Sequence, residues 1–494
     1  MKKLLYFYLI CFTTYNAQER NYWNILGGSR SALMGGIVVG GVRDNSASFY
    51  NPGALGFINS STHTISSDVY GYAMMRIKDG AGNGLNLVNS EFRTIPLMAS
   101  GTFSLDFLID DLKIGYTILT KSASKISFTS RIELYQDLIP ENPNGIYAGN
   151  NQFLKTFEGD ENVSAQYIVT QSSEEIWGGG SLSQKINENF SVGISGFGIY
   201  KTYTSRENIM VYAVDTSYFK TASNNSLSYQ DLWNLSFVIK AGLAYQNDFV
   251  KLGLTITSPQ VSLYGKAKVA GVFNSQNVLK IRNTQSNVDI PLDFTAEDRQ
   301  QDLNTKISAP LSIAFGFETS LNNRINLAFS SEYFASLNEY SVARPASKSF
   351  FLALGNDQSI ETNSAEVLKI VDEYKSVVNY GFAVEYLAAE KINAYLSFRT
   401  DFNNGVFKER NKYYLGFSKW DLYHFTLGGT FVDDRSTFAL GIGYSFSFQS
   451  NYNQLVNFSN LEINNDIYLY NKPGKASLSY QDISLILGYT YKLN

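Results

Sequence analysis

Residues able to do covalent or metal chemistry are scarce in this chain. It has two histidines, His63 and His424, and one cysteine, Cys11. A zinc-type site needs more ligands than these, and no serine-nucleophile, phosphate-binding or His-Glu-x-x-His motif occurs. Because 40 basic residues stand against 44 acidic ones, there is also no positive field for nucleic acid. The sequence therefore predicts no enzyme, no cofactor, no metal site and no nucleic-acid partner.

Residues 1–17 have the pattern of a secretory signal. Two lysines follow Met1, then an apolar run, and a small residue, Ala17, ends the segment at the expected cleavage point. Cys11 lies inside it and follows Ile10 rather than a small residue, so a lipid-anchored cysteine is not expected. The mature chain would be exported and would contain no cysteine for a disulfide or a nucleophile.

The composition combines many aromatic residues with a polar average. Phe, Tyr and Trp make up 15% of the chain, yet the mean hydropathy is −0.14. This combination is typical of a membrane β-barrel, because lipid-facing and water-facing residues alternate and their hydropathies cancel. No later apolar run approaches the roughly twenty residues of a membrane-spanning helix.

Large apolar residues alternate with small or polar ones in many segments. From Phe438 to Phe448, each even position is large and apolar, and each odd position is Ala, Gly or Ser. The same period of two indicates strands at residues 235–245, 250–256, 307–317, 378–386 and 483–491. We expect the apolar rows to face lipid and the other rows to face a wet lumen. The alternative, a secreted β-sandwich or propeller, would need a second apolar layer.

Connections between these segments are of two kinds. Short polar turns are expected at residues 107–112, 187–189, 246–248, 321–324, 388–391 and 433–436. Long loops are expected at residues 78–92, 121–173, 205–230, 259–306, 335–375, 401–411 and 449–476, with a helix over residues 364–377. Outer-membrane barrels place short turns in the periplasm and long loops outside. The pattern therefore predicts an all-β transmembrane antiparallel barrel of about fourteen strands.

A glycine-rich stretch, residues 27–56, follows the signal and precedes the first strand. Glycine weakens both helices and strands, so this stretch predicts a compact plug inside the barrel. The motifs SRSALMGG at 29–36 and DNSASFYNP at 44–52, with LGLTITSP at 252–259, resemble those of the FadL/TodX family of outer-membrane transporters for hydrophobic compounds. Asn45 replaces an acid usual in that family, and Gly53-Ala54 reverses its usual order. Residues 18–59 would form the hatch and residues 60–494 the barrel.

The resemblance implies passive uptake of long-chain fatty acids or aromatic hydrocarbons through a hatch-gated lumen with a lateral exit. A carboxylate head group would need a cation. We expect substrate contacts at Arg30, Phe49, Lys240 and Arg399, with Arg43 and Lys251 as further cations, and gating by Gly35, Gly36, Asn51 and Pro52. The alternative is that each cation pairs with a lumenal acid such as Glu385 or Asp482.

Two neighbouring segments could weaken the barrel wall. The outward series ending at Ile194 changes phase to Phe197 and Ile199, which predicts a bulge beside Gly196. The run WGGG at residues 177–180 removes side chains opposite it. Both features could equally relieve barrel curvature. The resembling family uses a kinked strand for lateral exit, but the sequence does not assign that strand.

Three functions are compatible with this pattern. The first is a monomeric outer-membrane transporter whose partners are a hydrophobic small molecule and membrane lipid. The second is a protein-interaction barrel, because the PorV-type barrels of type IX secretion resemble the same family and escort secreted proteins. The third, an outer-membrane esterase or phospholipase, would need a serine beside a histidine. The alternation places His424 on the lumenal face, where a hydrogen-bonded pore residue is the simpler expectation.

Overall fold

A computed structural model describes most of the chain after the predicted signal. The residues it describes are 21–23, 27–58, 61–93, 97–104, 111–138, 146–148, 151–155, 160–215, 220–283, 288–291, 293–322, 324–348, 351–353, 363–406, 413–416, 419–459, 461 and 472–493. Residues 1–17 lie outside this set, so the export signal stays a prediction. No helix in the described ranges is long and apolar enough to cross a bilayer.

The helices are short and the strands are long. The helices are α1 (Ser29–Leu33), α2 (Ala47–Tyr50), a 3-10 helix (Pro52–Phe57) and α3 (Ser364–Val367). The strands are, in chain order, β1 (Thr62–Lys78), β2 (Leu87–Arg93), β3 (Leu97–Ser104), β4 (Leu112–Gln136), β5 (Ile146–Ala148), β6 (Asn151–Lys155), β7 (Glu161–Asn187), β8 (Phe190–Asp215), β9 (Lys220–Gln246), β10 (Val250–Thr257), β11 (Val261–Gln276), β12 (Leu279–Asn283), β13 (Val288–Pro291), β14 (Phe294–Asn304), β15 (Ser312–Asn322), β16 (Ile325–Phe334), β17 (Leu337–Ala343), β18 (Phe351–Ala353), β19 (Ile370–Tyr374), β20 (Val377–Ala389), β21 (Ile392–Asp401), β22 (Tyr413–Tyr414), β23 (Leu422–Val432), β24 (Ser436–Asn453) and β25 (Lys475–Lys492).

The principal sheet is a closed antiparallel barrel with fourteen strand positions. Neighbours in the chain pair in sequence, and β25 returns to pair with β1, which closes the sheet into a barrel. Three positions hold two strands each, namely β2 with β3, β10 with β11, and β14 with β15. The predicted strand number and antiparallel topology are therefore confirmed. The turns at residues 187–189, 246–248, 388–391 and 433–436 join neighbouring strands as predicted.

The apolar rows face outward, as the alternation predicts. On β24, Phe438, Leu440 and Ile442 are 53–58% exposed, whereas Ala439 is buried. The equivalent rows of β9, β20 and β25 are also exposed. An exposed surface of large apolar side chains all around a closed barrel suits hydrocarbon rather than water. The outward apolar row predicted for residues 307–317 is wrong at its first residue. Between β14 and β15 the chain leaves the sheet, and Ile307 is buried inside the barrel.

Several predicted long loops are in fact continuations of the strands. β4, β7, β8 and β9 run for 25 to 27 residues, although about ten residues cross a membrane. Their far halves extend beyond the apolar band at the long-loop end. There the interior is filled by an apolar cluster, which we call the cap, that includes Tyr167, Tyr203, Tyr413, Trp420 and Phe458.

Two smaller sheets accompany this end of the barrel. One has the order β13, β12, β6, β5, and the other has the order β17, β19, β22. The helix predicted over residues 364–377 is wrong beyond Val367. Asn363 caps α3 through its side-chain oxygen, but Ile370 and Val371 then pair with β17 and β22, since β-branched residues favour a packed sheet.

The segment of residues 27–58, called the plug below, lies inside the barrel. Its backbone runs so close to the wall that two inward glycines are required. A Cβ on Gly253 would lie 1.8 Å from the Val39 carbonyl oxygen, and one on Gly316 would lie 2.1 Å from the Gly40 nitrogen. The plug is thus packed directly on the strands.

Replacing Gly253 with leucine should therefore destabilise the folded barrel and displace the plug. Overpacking of this kind typically costs about 1–3 kcal/mol. We expect a lower midpoint of thermal unfolding in detergent and faster proteolysis within residues 27–58. The matched control is Gly178→Leu, because a Cβ there has no neighbour closer than Ile118 Cγ1 at 4.0 Å. Equal midpoints for the two variants would contradict close packing of the plug.

Candidate ligand cavity and plug

An internal cavity of about 100 Å³ lies between the plug and the barrel wall. Its lining comes from three sources. The plug and the segment before it contribute Tyr22, Trp23, Gly35, Gly36, Val39, Phe49 and Tyr50; β4 and β7 to β9 contribute Lys121, Trp177, Ile199, Val238 and Lys240; the remainder comes from other inward positions, including Gln260, Pro310, Glu332, Phe334 and Arg399. The cavity is therefore mainly apolar and aromatic, with a few charged groups.

Aromatic rings make one side of the cavity. The Phe49 ring meets the Trp177 ring edge-on at 5.8 Å between centroids, and Trp177 lies 5.6 Å from Phe197. Ile199 and Val238 belong to the same buried cluster. These residues occupy inward positions that are small or polar elsewhere in the barrel, so they form a local apolar lining suited to a hydrophobic ligand.

The predicted bulge beside Gly196 is wrong, and its absence explains this lining. β7 pairs with β8 in continuous register from Asn162 to Lys185, and β8 pairs with β9 without interruption. Phe197 and Ile199 therefore face inward, where both are buried. The outward row of β8 does not shift. Instead, the inward-facing residues change from small or polar to large and apolar at Phe197. The sequence analysis missed Trp177 and Ile199 as cavity residues and Phe197 as the ring packed against Trp177, although this change of polarity was the signal for Phe197 and Ile199.

Lys240 is the cation best placed to meet a ligand. It is 8% exposed, and its Nζ lies 4.3 Å from the centroid of the Phe49 ring and 5.9 Å from that of Trp177. Within the described ranges, no carboxylate forms an ion pair with it and no hydrogen bond is made by its amine. A buried ammonium resting on aromatic faces is a site for an anionic or strongly polar head group.

The other cations at the cavity hold the plug and the segment that precedes it. Arg399 donates from Nε to the Trp23 carbonyl oxygen at 3.0 Å and from Nη1 to that of Gly35 at 3.3 Å. Lys121 donates to the Tyr22 carbonyl oxygen. Arg399 therefore lies in the cavity as predicted, but its guanidinium is bonded to main-chain oxygens of Trp23 and Gly35.

Tyr22 and Trp23 fill part of the cavity. The Tyr22 ring stacks on Phe334 at 4.3 Å, and Trp23 Nε1 donates to Glu332 at 2.7 Å. Burial raises the pKa of the Tyr22 phenol, so it stays neutral. An apolar cavity of about 150 Å³ accommodates benzene, whereas this one is about 100 Å³. A larger ligand must therefore displace neighbouring side chains, and these two rings are the obvious candidates. The sequence analysis did not identify them.

Arg30 and Arg43 lie away from the cavity, in an ion cluster that ties the plug to the short-turn end. Arg30 contacts Glu318 at 3.0 Å and Glu385 at 2.8 Å, and Arg43 pairs with both acids. Lys251 lies 3.6 Å from Glu318. Burial opposes the charge of Arg30, but the carboxylates of Glu318 and Glu385 raise its pKa above the ordinary value. For these three cations the structure matches the alternative of pairing with lumenal acids.

The predicted gating residues serve different structural roles. Gly35 and Gly36 line the cavity and have positive φ of 64° and 74°, which glycine adopts without strain. Asn51 donates from Nδ2 to the carbonyl oxygens of Val39 and Leu243 and accepts from Gly53. Pro52 begins the 3-10 helix. Asn51 and Pro52 thus hold the plug together and to the wall, and any gating by the four remains a prediction.

His424 is buried and inward-facing, as the alternation predicts. Its Nδ1 lies 2.6 Å from Ser445 Oγ. It is absent from the cavity lining. A histidine bonded to a neighbouring strand fits the expectation of a structural pore residue.

Comparisons with known proteins agree with this architecture. No protein-family model and no curated protein sequence matches the chain. Solved structures do match. A FadL homologue from Pseudomonas aeruginosa covers 98% of this chain and 100% of its own length at 14% identity, with a TM-score of 0.51. The toluene transporter TodX from P. putida covers 97% and 100% at 12% identity, also with a TM-score of 0.51. The chain therefore has the fold of the FadL and TodX barrels.

Proposed function

We propose that this protein is an outer-membrane channel for passive uptake of hydrophobic compounds, in the class of long-chain fatty acids or aromatic hydrocarbons. The ligand would bind in the cavity between the plug and the barrel wall and leave through the wall into the membrane. The protein would act as a monomer and without a cofactor. The observation that carries the proposal is the aromatic cavity with Lys240 over Phe49.

Two physical features support this function. Transfer of a ligand into the cavity removes it from water, at about 0.8 kcal/mol per buried methylene. The aromatic wall offers that burial, and Lys240 offers one charge-assisted contact for a carboxylate. Neutral aromatic ligands would use the wall alone. The fold neighbours are described as a FadL homologue and a toluene transporter, which agrees with a hydrophobic cargo.

The protein-escort alternative makes different demands on the interior. A protein escort requires an exposed docking surface. It does not require an internal cavity that contains a buried cation. The cavity therefore favours transport over escort, and transport over an esterase, since His424 is absent from the cavity lining and its Nδ1 is bonded to Ser445.

Uptake by whole cells tests the proposal. Cells with the gene should accumulate labelled oleate or toluene faster than cells without it. A variant lacking residues 27–52 should lose selectivity, because the plug closes the lumen. Equal uptake by the two strains for both compounds would remove the transport function. Co-purification of a secreted protein with a ligand-free barrel would instead support the escort.

A further inference from the structure

The lipid-facing row of β1 ends in two cations at the long-loop end of the barrel. Tyr72 and Met74 are 49% and 40% exposed and belong to the apolar row. Arg76 and Lys78 follow at the next two outward positions, and both are exposed. Between them, Ile77 points inward and packs into the cap. The outward face of β1 therefore changes from apolar to cationic over a few residues.

The neighbouring strand β25 places hydroxyl groups beside these cations. Ser479 is the register partner of Arg76, and Ser477 is the register partner of Lys78. Directly opposite side chains of an antiparallel pair have Cβ atoms about 4.5–5.5 Å apart. Two cations and two hydroxyl groups therefore lie together on the outer surface of the barrel. We call these four residues the basic square.

No carboxylate neutralises the basic square within the part of the chain that the structure describes. Neither Arg76 nor Lys78 forms an ion pair with a described residue. On the other side of β1, the register partner of Arg76 is the apolar Val88 of β2. Asp79, the nearest acid along the chain, accepts a hydrogen bond from Gly84 N at 2.7 Å. The positive charges of the square are therefore available to an external anion.

The apolar row of β24 sets the depth of the basic square in the membrane. This row runs from Phe438 to Phe448, which is 73% exposed. At about 3.4 Å per residue and a tilt of about 40°, it spans about 26 Å, close to the apolar height of an outer-membrane barrel. By the same geometry, Arg76 and Lys78 lie about 5 and 10 Å beyond Met74, the last apolar residue of the row on β1. That is the layer of lipid head groups.

A phosphate group attached to acyl chains fits this arrangement. Arginine and lysine bind phosphate through charge-assisted hydrogen bonds, and serine hydroxyls can donate to its oxygens. Below the square, Tyr72 lies opposite Ile483, and both side chains are exposed, which offers an apolar surface for the chains. We propose that the basic square binds the phosphate of a phosphorylated glycolipid in the outer leaflet. This inference rests on the outer-membrane location in the proposed function but is independent of the transported compound.

Native mass spectrometry of the purified protein tests this site, with bis-phosphorylated lipid A as the probe. Arg76→Gln with Lys78→Gln should bind the probe about thirty-fold more weakly, since each basic residue near an anionic lipid surface contributes a factor of about five. Arg76→Lys with Lys78→Arg keeps both charges and should retain binding. The matched control is Lys266→Gln with Lys268→Gln, which removes two lysines from β11, where Lys268 lies 3.7 Å from Asp231. This control should bind the probe like the unchanged protein.

Two further probes identify the group that is recognised. Lipid A without phosphates should bind weakly, and equally to the unchanged protein and the double Gln variant, and millimolar inorganic phosphate should not displace the phosphorylated lipid. Equal affinity of these two proteins for phosphorylated lipid A, or an equal loss in the β11 control, would overturn the site. Displacement by inorganic phosphate would overturn the glycolipid as its ligand. Oleate uptake by cells should be unaffected by the substitutions, so failure of the unchanged protein to take up oleate would count only against the proposed function.

Discussion

Replacing Lys240 with methionine is expected to weaken binding of fatty-acid anions by roughly 10- to 150-fold, since hydrogen bonds to charged groups contribute about 1.5–3 kcal/mol. Methionine is one heavy atom shorter than lysine but keeps an unbranched apolar chain at the same position, so the shape of the cavity changes little. Neutral aromatic ligands should bind equally well or better, because no buried charge then needs to be desolvated. Titration of purified protein with oleate and with toluene measures both effects.

Two further variants separate charge from general damage to the cavity. Lys240→Arg keeps the positive charge and should retain most of the oleate affinity. Lys266→Met removes a lysine that lies outside the cavity and contacts Asp302 and Asn304, and it should leave both ligands unaffected. If Lys240→Met binds oleate as tightly as the unchanged protein, the assignment of the head group to Lys240 is wrong.

Arg30→Met should have the largest effect on the plug. It leaves Glu318 and Glu385 buried, at 2% and 5% exposure, with fewer compensating donors. Removing one partner of a buried ion pair typically costs about 3–5 kcal/mol. We expect the plug to detach, which should raise single-channel conductance in planar bilayers and sensitise cells to large polar antibiotics.

Arg43, which pairs with the same two acids, provides a comparison for Arg30. The Arg43 side chain is 37% exposed, so Arg43→Met should give a smaller increase in conductance. A second comparison adds Glu318→Gln and Glu385→Gln to Arg30→Met, which removes the unpaired charges and should recover part of the thermal stability. Unchanged conductance in Arg30→Met, in a protein that still folds, would show that the ion cluster does not hold the plug.

The candidate cations show how much of the binding site could be predicted from residue type alone. Five were candidates at inward or plug positions, but three of them, Arg30, Arg43 and Lys251, share the acids Glu318 and Glu385. Arg30 and its partners are separated by 288 and 355 residues in the chain. No local pattern reports such a pairing, so Lys240 could be distinguished from the others only after the barrel closed.

The sequence by itself determined the barrel, its strand number, its lipid-facing rows and the plug. These follow from local patterns, because alternation along a strand shows its two environments, and a glycine-rich stretch favours neither a regular helix nor a strand. Tertiary structure decided which cations are paired, which loops continue as strands and where the aromatic cavity lies. Those features depend on the register between strands far apart in the chain, and register is set by the packing of the whole barrel.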